Sequence, residues 1–471
     1  MGKPRLIAEP ILSATTRHRL APSNLSARYL QLGRLLMPAY LKFALAFEEI
    51  EIRSPERILS ELRDFQSEQS RLIVAFRHPY GDEAQLMFHV FENLLPRLAK
   101  KSGKPLLHQP GLRLVHDYAV PLWGNAIIRY LLPRAGALPV YHVKCETNSL
   151  SGIRAVLRDG PNPLGLAPEG QISYHSETLP RIELGTVRMG FWCASDLERA
   201  GRTEEMRILP ISVHYQYDAR DFHKIHAIIR NLECLSGLNA QSIARNTPLP
   251  ALLPRLDAIE RRLLSLTEQF YRDTYHYAVP EAVAGEAAAQ ERQRRWNALL
   301  PVALTVSEHA LGIDPGQEDL VQRMYRVRLE GWNRVKPEES LDNLSPLELA
   351  LADRRAGEGW FAMRHMELVD LMSYHDVSYV EGAASPCENR IVEHAINLLD
   401  LAQRLMAGNV SNRPNNIRKR AIVVPGECVN LTALLPEYRL SPKKTARLTT
   451  DLLANNLKRC IERVQHEQTQ E

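Results

Sequence analysis

The sequence predicts an α/β protein: a mixed sheet flanked by helices, with an N-terminal helix pair and a large helical C-terminal addition. Three observations carry that expectation. Between residues 71 and 217, strand-length apolar runs alternate with stretches of helical periodicity, the pattern of strands covered by helices. Beyond about residue 250 the periodicity is helical almost throughout. Near 421 a strand-like run returns, followed by one last helix.

Taken in order, residues 24–48 form the most apolar long segment. Leu25, Tyr29, Leu32, Leu36, Tyr40, Phe43 and Phe47 recur at helical spacing, with Arg28, Arg34 and Lys42 among them. Pro38 has no N–H and is expected to split the segment into two helices. Such a pair either packs as core or lies on a lipid surface with its aromatic and basic side chains facing the headgroups. Strands are expected at 71–76, 137–143, 163–168 and 207–215, each bounded by Gly, Pro or charge, and helices at 82–99, 118–133, 149–158 and 185–199. Residues 249–279 read as one long amphipathic element, and 280–293, rich in Ala and Glu, as an exposed linker. Further helices are expected near 291–310, 317–335, 345–373, 388–407 and 442–465.

Composition narrows the function. Apolar residues make up 45% and charged residues 24%, and 59 basic against 55 acidic residues leave a formal charge of +4. That excess is too small over 471 residues for a dedicated nucleic-acid binder. The six cysteines are scattered with no CxxC pair, which disfavours a disulfide framework or a zinc site and suits a reducing cytoplasm. His223 and His226 lack a partner at metal-ligand spacing, so no metal is expected. No Walker motif, dinucleotide glycine motif or GxSxG is present. No run of eighteen apolar residues occurs, so no spanning helix is expected.

The chemistry-bearing stretch is "RHPYGDE" at 77–83, directly after the apolar run "RLIVAF". A histidine at a strand exit, with a carboxylate on one ring nitrogen, keeps the other nitrogen free as a general base. The plainer reading is a turn histidine, with acids favouring the positive end of the following helix. Further segments follow in order: "PVYH" at 139–142, "APEGQIS" at 167–173 and "ILPISV", an apolar strand with a central proline, at 208–213. Over residues 25–217 this series resembles the glycerolipid acyltransferase family, which includes 1-acylglycerol-3-phosphate acyltransferase. That family carries a His-x4-Asp block, then blocks like "PVDR" and "FPEGTRS", then an apolar strand with a central proline.

The resemblance implies an enzyme in which His78 deprotonates an acceptor hydroxyl, which then attacks the thioester of an acyl-CoA or acyl carrier protein. It implies no cofactor beyond that co-substrate, and places Glu83 where the family carries its catalytic aspartate. Glu169 and Gly170 match the "PEG" turn that presents backbone groups to substrate. The sequence departs from the family at Ile172 and His142, where arginines are expected, so Lys144, Arg181 or Arg188 would have to supply charge for a phosphate. Asp82, with Gln85 three residues on, reads as a capping-box start. On that division of labour, Glu83→Gln removes activity with little loss of stability, whereas Asp82→Ala costs about 1 kcal/mol.

The expected organisation is an amphipathic helix pair (1–50), an acyltransferase domain (51–235), a helical region (236–415), and a strand plus final helix (416–471) completing the acyltransferase domain around the helical insertion. The expected location is the cytoplasmic face of a membrane. There the basic cluster 413–420 either meets anionic lipid or forms a solvated loop. The alternative from another class is an inactive lipid-binding or scaffold protein on the same fold.

Overall fold

The computed structural model describes residues 9–17, 23–124, 126–140, 147–278, 285–315, 319–381, 387–408 and 413–470. The chain divides into an α/β unit, made of Leu20–Gln216 and Arg418–Glu471, and a helical unit, made of Met1–Arg19 and Tyr217–Ile417. The α/β unit is therefore built from two separate stretches of sequence, and the helical stretch between them begins near 217 rather than 236.

The first stretch of the α/β unit runs α1 (Ala27–Phe43), β1 (Phe47–Ile52), α2 (Pro55–Gln66), β2 (Ser70–Phe76), α3 (Glu83–His89) and α4 (Leu95–Lys101), with a π-helical turn at Val90–Leu94 between the last two. It continues through β3 (Arg113–Asp117), α5 (Val120–Trp123), α6 (Ala126–Arg134), β4 (Leu138–Val140), α7 (Thr147–Asp159), β5 (Leu164–Leu166), α8 (Gly185–Arg199) and β6 (Glu205–Tyr217). The helical unit holds α9 (Phe222–Ser236), α10 (Leu253–Tyr275), α11 (Ala288–Ala310), α12 (Leu320–Val335), α13 (Pro346–Met372), α14 (Ser378–Glu381) and α15 (Glu388–Leu405). The second stretch of the α/β unit adds β7 (Lys419–Pro425), β8 (Val429–Asn430), α16 (Leu435–Leu440) and α17 (Pro442–Gln470).

One mixed sheet of eight strands results, in the order β1-β7-β6-β2-β5-β3-β4, with β8 antiparallel to β6. β2 pairs in parallel with both β5 and β6, so it lies inside the sheet. Its residues are all buried, which explains an apolar run with no polar alternation. Burying each of Leu72, Ile73 and Val74 contributes about 1.5–3 kcal/mol. β7, from the far end of the chain, pairs in parallel with β1 and matches Lys419 to Phe47.

The N-terminal helix pair is not found. α1 continues through Pro38 as a single helix, and Phe47 already begins β1. Proline removes the N–H that would bond the carbonyl of Arg34. The Asn93 side-chain amide takes its place, donating to that carbonyl at 2.9 Å. Gly33 brings the two elements together, because a Cβ there would lie 2.8 Å from the Phe88 ring.

In the helical unit, residues 14–17 dock on its own helices: the Ala14 amide donates to Asp353 at 2.7 Å and the Arg17 guanidinium to Asn333 at 2.8 Å. The expected linker 280–293 is shorter than its composition suggests. Residues 279–284 lie outside the described residues, while α11 starts at Ala288 and buries Arg292 within 3.2 Å of both Asp257 and Glu260. The basic cluster 413–420 is neither a lipid face nor a solvated loop in what is described. Arg413 is buried beside Asp400, Lys419 is buried, and Arg420 pairs with Glu51 at 2.6 Å.

Candidate active site

β2 ends at Phe76, and the Arg77 amide extends its ladder by donating to the Ile211 carbonyl at 2.9 Å. His78 follows at the strand exit, in a turn that returns to α3. Gly81 sits in that turn at φ +118°, a conformation that disfavours any side chain. The turn thus delivers Glu83, the first residue of α3, back onto His78.

The Glu83 carboxylate is fully buried and accepts from four groups. Its Oε2 lies 2.6 Å from His78 Nδ1 and 2.9 Å from the Gly81 amide. Its Oε1 accepts from the Tyr80 amide at 3.0 Å and from the Tyr215 hydroxyl. Nδ1 so close to a carboxylate carries the proton, which leaves the lone pair on Nε2. No described residue bonds Nε2, and the His78 side chain is 23% exposed.

The electrostatics follow from this geometry. Burial alone would push the His78 imidazole down, but the bond and charge of Glu83, then the charges of Glu169 and Asp82, hold it above its ordinary value. Burial opposes the Glu83 charge as well. The bond and charge of His78, the Tyr215 hydroxyl and the Gly81 amide outweigh that and keep its carboxyl below the usual range.

The loop after β5 clamps the histidine from the other side. The His78 amide donates to Glu169 Oε1 at 3.2 Å, and the Ser173 amide donates to the His78 carbonyl at 2.9 Å. Gly170 makes the intervening turn at φ +77°. Burial pushes the Glu169 carboxyl up, against the neighbouring Arg77 charge. Arg77 itself is fully buried, donating to the carbonyls of His175, Ser176 and Thr178 at 2.6–2.7 Å and lying 3.4 Å from Glu169. Ile172, at the position where an arginine was expected, would meet a Cβ on Gly81 at 3.4 Å.

The predicted residues divide accordingly. His78, Glu83, Glu169 and Gly170 come together. Asp82 joins them in a different role: it stands at the helix start but makes no side-chain capping bond, and its Oδ2 lies 3.5 Å from Lys419 Nζ. The backbone donors of the turn are already taken by Glu83, so one acid both orients the histidine and builds the turn. Arg188 is exposed on α8 with no side-chain bond among the described residues. His142 and Lys144 lie outside the described residues. Among the described residues, no group of three His, Cys, Asp or Glu is placed to hold a metal ion.

Arg77, Tyr215 and Lys419 were missed from sequence. A charged residue ending an otherwise apolar buried strand was a usable signal for Arg77. Lys419 gave none, since its neighbours read as a basic cluster. Glu83→Gln is accordingly expected to lower stability by about 2–3 kcal/mol as well as orientation, because buried charge-assisted bonds are lost. Urea denaturation beside the wild type reads this, and an unchanged midpoint would contradict the four-donor arrangement.

No known protein-family profile matches this chain, and no curated protein matches it either.

Proposed function

We propose that the protein is an O-acyltransferase that moves a fatty acyl chain from acyl-CoA or acyl carrier protein to a lipid-like hydroxyl, with His78 as general base. The observation that carries this reading is the buried Glu83 on Nδ1 of a partly exposed His78, which orients Nε2 as an acceptor. The acceptor hydroxyl gives its proton to Nε2, its oxygen bonds the thioester carbonyl carbon, the C–S bond breaks, and the thiolate leaves with that proton. Base catalysis of this kind is worth about 10²–10⁴-fold. Resemblance of the four sequence blocks to glycerolipid acyltransferases supports the choice of acyl transfer over other base-catalysed reactions.

We place the reaction at an anionic membrane surface. No helix among the described residues is long and apolar enough to cross a membrane. α1 exposes Leu32, Leu35, Leu36, Tyr40 and Phe43, and α6 exposes Ile127, Tyr130 and Leu131. These two helices carry Arg28, Lys42, Arg129 and Arg134, and Arg34 already paired with the buried Glu92 at 2.6 Å, and no acid of their own, a combination that suits anionic headgroups. They adjoin through the Tyr29 and Tyr130 hydroxyls, with the Arg134 guanidinium 3.6 Å from the Tyr130 ring centre. Burial, and then the charge of Asp82, hold the Tyr40 phenol above its ordinary value.

The test is acyl transfer from acyl-CoA to a panel of lysophospholipids and glycerol 3-phosphate, with phosphatidylglycerol vesicles present. Turnover that is stimulated by the vesicles, and less so in Leu35→Ser/Phe43→Ser, is expected. No turnover with any acceptor and either donor class would favour a binding protein on this scaffold, the reading that Ile172 in place of an arginine supports.

A further inference from the structure

Three carboxylates stand around the His78 ring. Glu83 bonds it, while Glu169 and Asp82 add charge that favours its protonated form. A base in those surroundings is held protonated unless the charge is offset, and two buried cations are placed to do so. Arg77 lies against Glu169 at 3.4 Å, and Lys419 lies against Asp82 at 3.5 Å.

Lys419 is the less expected of the two. It opens β7, beyond the helical unit, and its side chain is 1% exposed. Its Nζ donates to the Leu45 carbonyl at 2.9 Å and lies 4.6, 4.9 and 5.9 Å from the ring centres of Phe47, Tyr80 and Tyr215. Aromatic faces attract a cation and hold it strongly when water is excluded. Two of those residues are the ones that grip Glu83 Oε1, Tyr80 by its amide and Tyr215 by its hydroxyl. One ammonium thus touches both the second carboxylate and the supports of the first.

We propose that Lys419 is a positioning residue for His78, its ammonium offsetting the Asp82 charge and bracing Tyr80 and Tyr215 against Glu83. The kinetic consequence rests on His78 being the base, whereas the electrostatic one does not. The charged and titratable groups facing the His78–Glu83 pair are Arg77 from the end of β2, Asp82 and Tyr80 from the turn, Glu169 from the loop after β5, Tyr215 from β6 and Lys419 from β7. The Asp82 charge also acts on Tyr40 of α1.

The experiment is an NMR titration of the His78 ring in the full chain labelled with ¹⁵N-histidine, its signal assigned by its loss in His78→Ala. Lys419→Met is expected to raise the His78 pKa by about one unit and Asp82→Asn to lower it by a similar amount, by the ordinary effect of a nearby charge. Lys419→Met/Asp82→Asn is expected to return it to near the wild-type value, because the two opposite charge effects cancel. The acid limb of kcat/KM follows the same order. Shifts of one sign in both single variants, or no return in the double variant, would overturn the proposal. Should Lys419→Met not fold, the absence of a downward shift in Asp82→Asn alone overturns it. The titration needs no substrate, so a wild type without turnover would remove the proposed activity and leave this result standing.

Discussion

His78→Ala is expected to lower acyl transfer by about 10²–10⁴-fold and to leave the protein folded. The side chain is partly exposed and makes one side-chain bond among the described residues, to Glu83, which retains three other donors when the imidazole is gone. The pH dependence gives a sharper signature. The His78 pKa is raised, mainly because Glu83 outweighs burial, and only the neutral ring accepts a proton. The rate therefore rises with pH through a value above the ordinary histidine pKa of about 6.5, and Glu83→Gln moves that limb downward. The same pair sets a stability trend. A raised histidine pKa contributes stability at low pH that is lost as pH rises through it. A depressed Glu83 pKa contributes stability above the ordinary carboxylate pKa of about 4.3 that is lost as pH falls through its folded value. Activity and the dyad's contribution to stability thus change in opposite directions across the His78 titration. Robust turnover in His78→Ala, measured as kcat/KM, would remove the base from the mechanism.

Arg77→Met is expected to have the largest effect on folding, about 3–5 kcal/mol lost in urea denaturation, the usual cost of removing one partner from a buried ionic network. Its guanidinium is fully buried, and three main-chain carbonyls and the Glu169 carboxylate depend on it. The segment 171–183 has neither helix nor strand, so no regular ladder takes over those bonds when the guanidinium is lost. Glu169, losing its cation, gains a proton or leaves its place beside His78. Transfer then falls together with stability, and limited proteolysis cuts within 171–183. A loss below about 1 kcal/mol would place Arg77 among ordinary surface arginines and contradict its burial.

What the sequence made legible was local. The strands at 71–76 and 207–215 were visible because a strand buried on both faces has no polar alternation to confuse it. The approach of Glu83 to His78 was visible because the five-residue spacing spans a single turn. The separate duties assigned to Asp82 and Glu83 were not. Asp82 makes no side-chain capping bond and faces Lys419 from the far end of the chain instead, a contact that local spacing does not show. Pro38 misled because the rule that proline ends a helix holds only where nothing replaces the missing donor, and Asn93 replaces it. The basic cluster 413–420 misled because charge density predicts solvent only when no buried carboxylate waits for it, as Asp400 and Asp82 do.

The division of the α/β unit into two stretches of sequence also sets an order of events in time. A chain leaving the ribosome holds His78, Glu83, Tyr215 and the 168–178 loop long before residue 419 is made, with the helical stretch Tyr217–Ile417 still to be synthesised. Throughout that interval β1 lacks its partner β7 and Asp82 lacks its cation, while Arg77, made early, is already available to Glu169. Pairing across so long a stretch closes late in folding. On the role proposed for Lys419, the charge setting of His78 is complete only once β7 has been made and has paired with β1.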